Sequence, residues 1–227
     1  MAAPGDEGLA RRRVWDLPVR IVHWAFVPLI VFSWWSAEVS KDFNAMQWHM
    51  WSGYSILGLV IFRLYWGLVG SDTARFKVFV RGPAAILGYV RGQGDAKLGH
   101  SPLAALSVVA MLLCLAVQVT LGLFAIDEYE LTYGPLASFI PPAVSHKVTA
   151  LHGLTFNLLL ALLVLHVGAV LFYLFRRKNL IGPMITGNAT VPQSVPEARF
   201  APWWRLLVGI VFSFAAMWFI SKGLKFA

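Results

Sequence analysis

The chain has 227 residues, 58% of them hydrophobic and only 13% charged, with a mean hydropathy of +0.67. That is too apolar for a water-soluble domain of this length and places the chain in the membrane class. The net charge of +8 would suggest nucleic acid in a soluble chain but must here be read against a bilayer, and the single cysteine, Cys114, excludes an internal disulfide, a multi-cysteine iron–sulfur site and covalent haem attachment through C-x-x-C-H.

Taken in chain order, a basic N-terminus (1–18) with Arg11, Arg12 and Arg13 leads into a first apolar run over 19–37. It is long, carries His23 and is closed by no small-residue cleavage pattern, so it reads as a retained helix rather than a leader. Further runs at 48–69, 103–126, 148–175 and 204–220 each approach the roughly 20 residues that cross about 30 Å of hydrocarbon. None shows sustained two-residue alternation, which excludes a membrane β-barrel. Between the second and third runs, Phe76, Phe79 and a Pro-led segment at 83–91 read as a stretch lying along the membrane surface. The fifth run follows a Pro-containing polar linker, so it is expected at the periphery of a bundle built from the first four. The expected fold is all-α: an integral membrane four-helix bundle over 19–178, a cytoplasmic linker over 179–203, and a fifth transmembrane helix with an external C-terminus over 204–227.

Five crossings sort the charges. All Lys and Arg except Lys41, Lys147, Lys222 and Lys225 fall on the side of the N-terminus, while Glu38, Asp42, Asp127, Glu128 and Glu130 fall on the other. The positive-inside rule therefore puts the N-terminus in the cytoplasm of a bacterial-type inner membrane and the C-terminus outside. The basic charge is explained by topology, and no nucleic-acid partner is expected. Cys114, within the third run, reads as a small core or lipid-facing residue.

Ionisable groups inside a span are expensive and mark function by default. Four of the six histidines lie there: His23, His49, His152 and His166. His23 is near the cytoplasmic start of the first helix and His49 near the external start of the second. His166 follows His152 by fourteen residues, which is about 21 Å along the axis and about 40° short of four full turns, so both project from one helix face. Matching depths pairs His49 with His152 on the external side and His23 with His166 on the cytoplasmic side. Two neutral imidazoles across an apolar gap suit the axial positions of a haem iron, and two pairs imply two haems.

The bland alternative is that each histidine is a hydrogen-bonded packing residue between helices, which four residues matched in depth and face argue against. A zinc or di-iron centre needs one cluster rather than two distant pairs, and no Gly-x-Ser-x-Gly points to a serine hydrolase. Arg63, fourteen residues after His49, shares that residue's face at the cytoplasmic level and suits a haem propionate, or else is a snorkelling helix-end arginine. Gly53 and Gly153 would let a flat ring approach the backbone. His100 precedes Ser101-Pro102, a helix-start signal, and His146 turns away from His152, so neither is expected to be a ligand.

The segments Arg20-Ile21-Val22-His23-Trp24, His49-Met50-Trp51-Ser52-Gly53-Tyr54, Arg63-Leu64-Tyr65-Trp66, Gly99-His100-Ser101-Pro102, and His152 with His166 resemble the bacterial cytochrome b-561 family and the related b-type cytochrome subunits of nickel–iron hydrogenases. The resemblance covers 15–187 and leaves the fifth helix outside. It implies four helices holding two haems b through His23, His49, His152 and His166. It also implies electron exchange between the quinone pool and a redox partner: hydrogenase, another dehydrogenase, a c-type cytochrome or superoxide. A membrane anchor for a soluble redox enzyme, and a histidine-lined metal or proton transporter, are the competing functions.

Overall fold

The structure is a computed structural model that describes residues 8–40, 42, 44–92, 98–127 and 131–225. Lys41, Lys97, Glu128 and Glu130, which enter the charge sorting above, lie outside the described residues. The described chain is mostly helical, with five helices long and apolar enough to cross a membrane. In order these are α1 (Leu17–Trp34), continued by a π-helical turn Trp35–Val39, then α2 (Ala45–Val69), α5 (Pro102–Phe124), α6 (Pro142–Phe175) and α8 (Trp203–Ser221). Two short helices, α3 (Phe76–Phe79) and α4 (Pro83–Val90), fill the connection after α2, and α7 (Ile181–Thr186) follows α6. The surface segment expected at 83–91 is thus helical, with Pro83 in its first turn.

Helix starts follow local chemistry. Asp16 caps α1 by accepting from Val19 N–H at 3.0 Å, and Ser101 caps α5 by accepting from Ala104 N–H at 3.3 Å, each followed by a first-turn proline. α6 begins at Pro142, six residues before the expected start at 148, because a proline in the first turn tolerates the missing N–H donor.

Packing runs in three layers. A cluster at the N-terminal end of α1 joins Val14, Trp15, Val19, Val22, Phe62, Trp66 and Ala74. A middle layer sets Ile56 and Val60 of α2 against Cys114 and Leu115 of α5 and Leu159 of α6, closed by Phe26, Leu29 and Ile30 of α1. A third cluster, of Leu57, Leu123 and Leu136, is flanked by Met217 and Ile220 of α8.

Two features depart from the expected bundle. The fifth helix is fastened to the bundle rather than only tethered by the linker: α8 runs antiparallel along α2 and is bonded to it, with most of its apolar surface still exposed. Tyr65 Oη–H donates to Arg205 O at 3.1 Å, and Arg205 donates to Val69 O at 2.8 Å. Gly209 sits so close to Tyr65 that a Cβ there would fall 2.6 Å from its ring, and this small residue is what lets the two helices approach. The linker is anchored as well, with Arg199 N–H donating to Asp72 and Ala201 N–H to Ser71 Oγ. Second, the N-terminus and linker are not irregular throughout. Strand β1 (Leu9–Arg13) pairs antiparallel with β2 (Asn188–Pro192), so a two-stranded ribbon ties the start of the chain to the segment after α6.

Candidate functional site

The four intraspan histidines meet in twos. His49 of α2 and His152 of α6 have ring centroids 6.1 Å apart, and His23 of α1 and His166 of α6 have theirs 6.3 Å apart. A metal–imidazole bond of about 2.0 Å, with about 1.1 Å from nitrogen to ring centre, would set two imidazoles on opposite sides of one metal ion about 6.2 Å apart. Both centroid spacings are long enough to admit a metal ion between the rings. Among the described residues no group of three or more His, Cys, Asp or Glu gathers, so the donor set is two nitrogens per level. Gly53 and Gly153, each near one of these histidines in sequence, have nothing within 4 Å of an added Cβ.

The two levels differ in how their rings are held. His49 Nδ1 lies 2.9 Å from Ser33 O, and His152 Nδ1 lies 2.9 Å from Gln118 O. With Nδ1–H donating to a carbonyl, the lone pair is on Nε2, the tautomer a ligating histidine needs. Gln118 Nε2 stands 3.2 Å from His152 Nε2, while its Oε1 accepts from Thr155 Oγ1–H. In the other pair His23 Nδ1 is buried without a hydrogen-bond partner.

Sequence reasoning missed the residues that orient the rings. Ser33 and Gln118 act through backbone carbonyls, which any residue type supplies and no motif announces. Gln118 carried one signal, being a buried amide inside a span. Gly122 was also missed: a Cβ there would lie 3.0 Å from His152 Cε1, so its lack of a side chain makes room for the ring.

Arg63 is buried and donates to Ala74 O at 3.3 Å. It is not a snorkelling helix-end residue reaching for water. His100 lies just before the capped start of α5 as expected, yet its ring packs against Trp15 and Phe79 at centroid distances of 4.6 and 4.5 Å. His146, in the first turns of α6, does not join either histidine pair.

No curated protein and no solved structure gives a significant match to this chain. A family model does match, described as prokaryotic cytochrome b561, over residues 14–187. That stretch holds α1, α2, α5 and α6 with all four paired histidines, and the function of the family is membrane electron transfer through b-type haem. By a match that spans most of its length, this helical membrane protein belongs to the prokaryotic cytochrome b561 family.

Proposed function

We propose that this protein carries electrons across the membrane through two bis-histidine haems b, one held by His49 and His152 near the external face and one by His23 and His166 near the cytoplasmic face. The observation that carries this reading is the pairing itself: two imidazole pairs on α6 and its neighbours, each at the spacing of a trans-ligated iron. Haem b would supply a one-electron iron couple at each level. The chain's own contribution is to fix the imidazoles, hold the lone pair on Nε2 of His49 and His152, and keep water from the space between the levels. Two histidines per level would leave no ligand position for a substrate, so the exchange of electrons with a quinone at one face and a redox partner at the other would rely on the residues around each pair. The partner classes are a hydrogenase, another dehydrogenase, a c-type cytochrome, or superoxide. The excess of Lys and Arg on the N-terminal side supports a cytoplasmic N-terminus and an external C-terminus in a bacterial-type inner membrane. The core domain is taken as 19–178, followed by the linker and the fifth helix.

Acid–acetone extraction with a pyridine haemochrome assay tests the reading directly. Two extractable haems per chain are expected; colourless protein, one haem, or haem that resists extraction would refute it. Stopped-flow reduction by a quinol, run beside superoxide with and without superoxide dismutase, separates the two small-molecule donors. The middle layer favours electron transfer over a histidine-lined ion path, since Phe26, Leu29, Ile30, Ile56, Val60, Leu115 and Leu159 fill the space between the levels. Proteoliposomes should accordingly hold a proton gradient, and rapid collapse of that gradient would favour the transporter. A pure anchor would show neither haem nor quinol reactivity.

A further inference from the structure

His23 differs from the histidines of the other pair in what holds its ring. His49 and His152 each present Nδ1 to a backbone carbonyl at 2.9 Å. Among the described residues Nδ1 of His23 has no partner, so no hydrogen bond there fixes the ring's orientation or its tautomer. What stands against the ring instead is Trp24, edge to face, with centroids 5.1 Å apart and planes at 89°, an arrangement that the aromatic quadrupole favours. Successive side chains of a helix diverge by about 100°. The contact therefore needs the indole to be turned toward His23, and a bond to another element supplies that turn.

The other element is α7. Near the end of a span a tryptophan N–H ordinarily reaches interfacial water or headgroups, but Nε1–H of Trp24 donates to Met184 O at 3.1 Å. One turn earlier on α1, Arg20 donates to Ile185 O, and the N–H groups of Val14 and Trp15 both donate to Gly187 O, at 2.7 and 3.1 Å. The last carbonyls of a helix have no partner within it. At the end of α7 they are taken by α1 and by the residues just before it. Gly187 closes α7 at φ +85°, and a Cβ there would fall 2.9 Å from Trp15 O and 3.0 Å from an Arg20 nitrogen, so glycine is what lets this clasp shut.

We infer that Trp24 is a positioning residue for His23, pinned by α7, and that it holds the imidazole where Nδ1 meets no acceptor. The inference rests on the assignment of His23 as an iron ligand. An Nδ1–H that donates to an acceptor makes the imidazole a stronger ligand and favours ferric iron, whereas one kept from acceptors leaves it weaker and favours ferrous iron. Trp24 thereby holds up the potential at the His23/His166 level. The other level is set the opposite way, by carbonyls that strengthen His49 and His152.

The test is a redox titration with electron paramagnetic resonance of the haem-loaded protein, with His23→Ala identifying the relevant component by its loss. The largest g value of a ferric bis-imidazole haem reports the angle between the two ring planes, which general loosening of a helix would not select at one level. Trp24→Leu removes the ring contact, so it should shift that g value and lower that component's potential as the freed Nδ1–H finds an acceptor. The expected change is roughly threefold in the reduced-to-oxidised ratio, or about 28 mV for one electron. Trp24→Phe keeps a ring but loses the N–H, and Gly187→Ala displaces the clasp without altering either ring. Both should move the same component in the same direction by less, and the His49/His152 component should stay in place throughout. If the component that His23→Ala removes is unmoved in both Trp24 variants, or rises, the positioning role is refuted while the ligand assignment stands. If those variants move it and Gly187→Ala does not, the part given to α7 is refuted. If both components move together, Trp24 is a general packing residue and the inference fails. If His23→Ala removes no component at all, the ligand assignment falls first, and this inference falls with it.

Discussion

On the proposed ligand assignment, replacing Gly122 by alanine should tune the haem held by His49 and His152 and spare the other. The added Cβ would lie 3.0 Å from Cε1 and 3.4 Å from Nδ1 of His152, tighter than ordinary contact, so the ring must yield by a few tenths of an ångström. That ring is held by the 2.9 Å bond between its Nδ1 and Gln118 O. A net hydrogen bond is worth about 1 kcal/mol, and losing half to all of its preference for one oxidation state amounts to about 0.5–1 kcal/mol. For a one-electron couple, where tenfold is 59 mV, this is a shift of about 20–45 mV. The sign follows from basicity: an N–H donating to a carbonyl makes the imidazole a stronger donor, which favours ferric iron, so weakening the bond raises the potential. Global destabilisation is not a competing account, because Gly→Ala inside a helix is worth about 0.5–1 kcal/mol in favour of folding. The assay is a potentiometric titration followed by absorbance, with Gly168→Ala as a control because a Cβ there meets nothing within 4 Å. A shift in the component that His23→Ala removes, or none at all, would refute the placement of His152 as an axial ligand.

The histidine pairs make complementary predictions: His49→Ala and His152→Ala should abolish one redox component, and His23→Ala and His166→Ala the other, whereas His146→Ala should leave both. If His49→Ala matches His166→Ala instead, the depths are wrong. Gly209→Val should destabilise the detergent-solubilised protein by about 1–3 kcal/mol through overpacking, because Tyr65 and Phe62 lie 2.6 and 3.0 Å from its Cβ position. Thermal unfolding reads this, and a midpoint equal to that of the parent would mean that α8 does not seat on α2. The backbone N–H of Arg199, and then the side chain of Arg75, hold the Asp72 carboxyl below the usual carboxylate range. Its contribution to the linker clasp is therefore fully present above about pH 4 and lost as pH falls through the depressed value. Asp72→Asn should flatten the acid limb of a stability-against-pH profile, and an unchanged limb would assign that limb to other groups.

The spans and histidine depths were legible because both follow from simple periodicities. A long apolar run must be satisfied by its own backbone bonds, and a fixed rise per residue turns sequence spacing into depth. The seat of α8 was not legible, since in a bilayer the face toward a neighbouring helix and the face toward lipid are both apolar. Only Gly58 and Gly209 mark the contact, and glycines elsewhere in the chain do other work. The ribbon of β1 with β2 joins Leu9 to Pro192, a pairing of two five-residue segments too short to show a period and too far apart in sequence for a turn signal.

At the site the division falls between residues whose chemistry is in the side chain and residues whose chemistry is in the backbone or in burial. The four histidines announce themselves because an imidazole at membrane depth needs a reason. Ser33 and Gln118 orient them through carbonyl oxygens, and Gly122 does so by lacking atoms. His100 is the intermediate case. The Gly-His-Ser-Pro segment correctly predicts a capped helix start, which favours an exposed ring. Its burial arises only when the connection after α2 folds back, so that Phe79 and the N-terminal Trp15 close on the ring from both sides. A polar residue at the end of a span can thus be enclosed by the fold, and what marks His100 is a ring nitrogen buried without a partner.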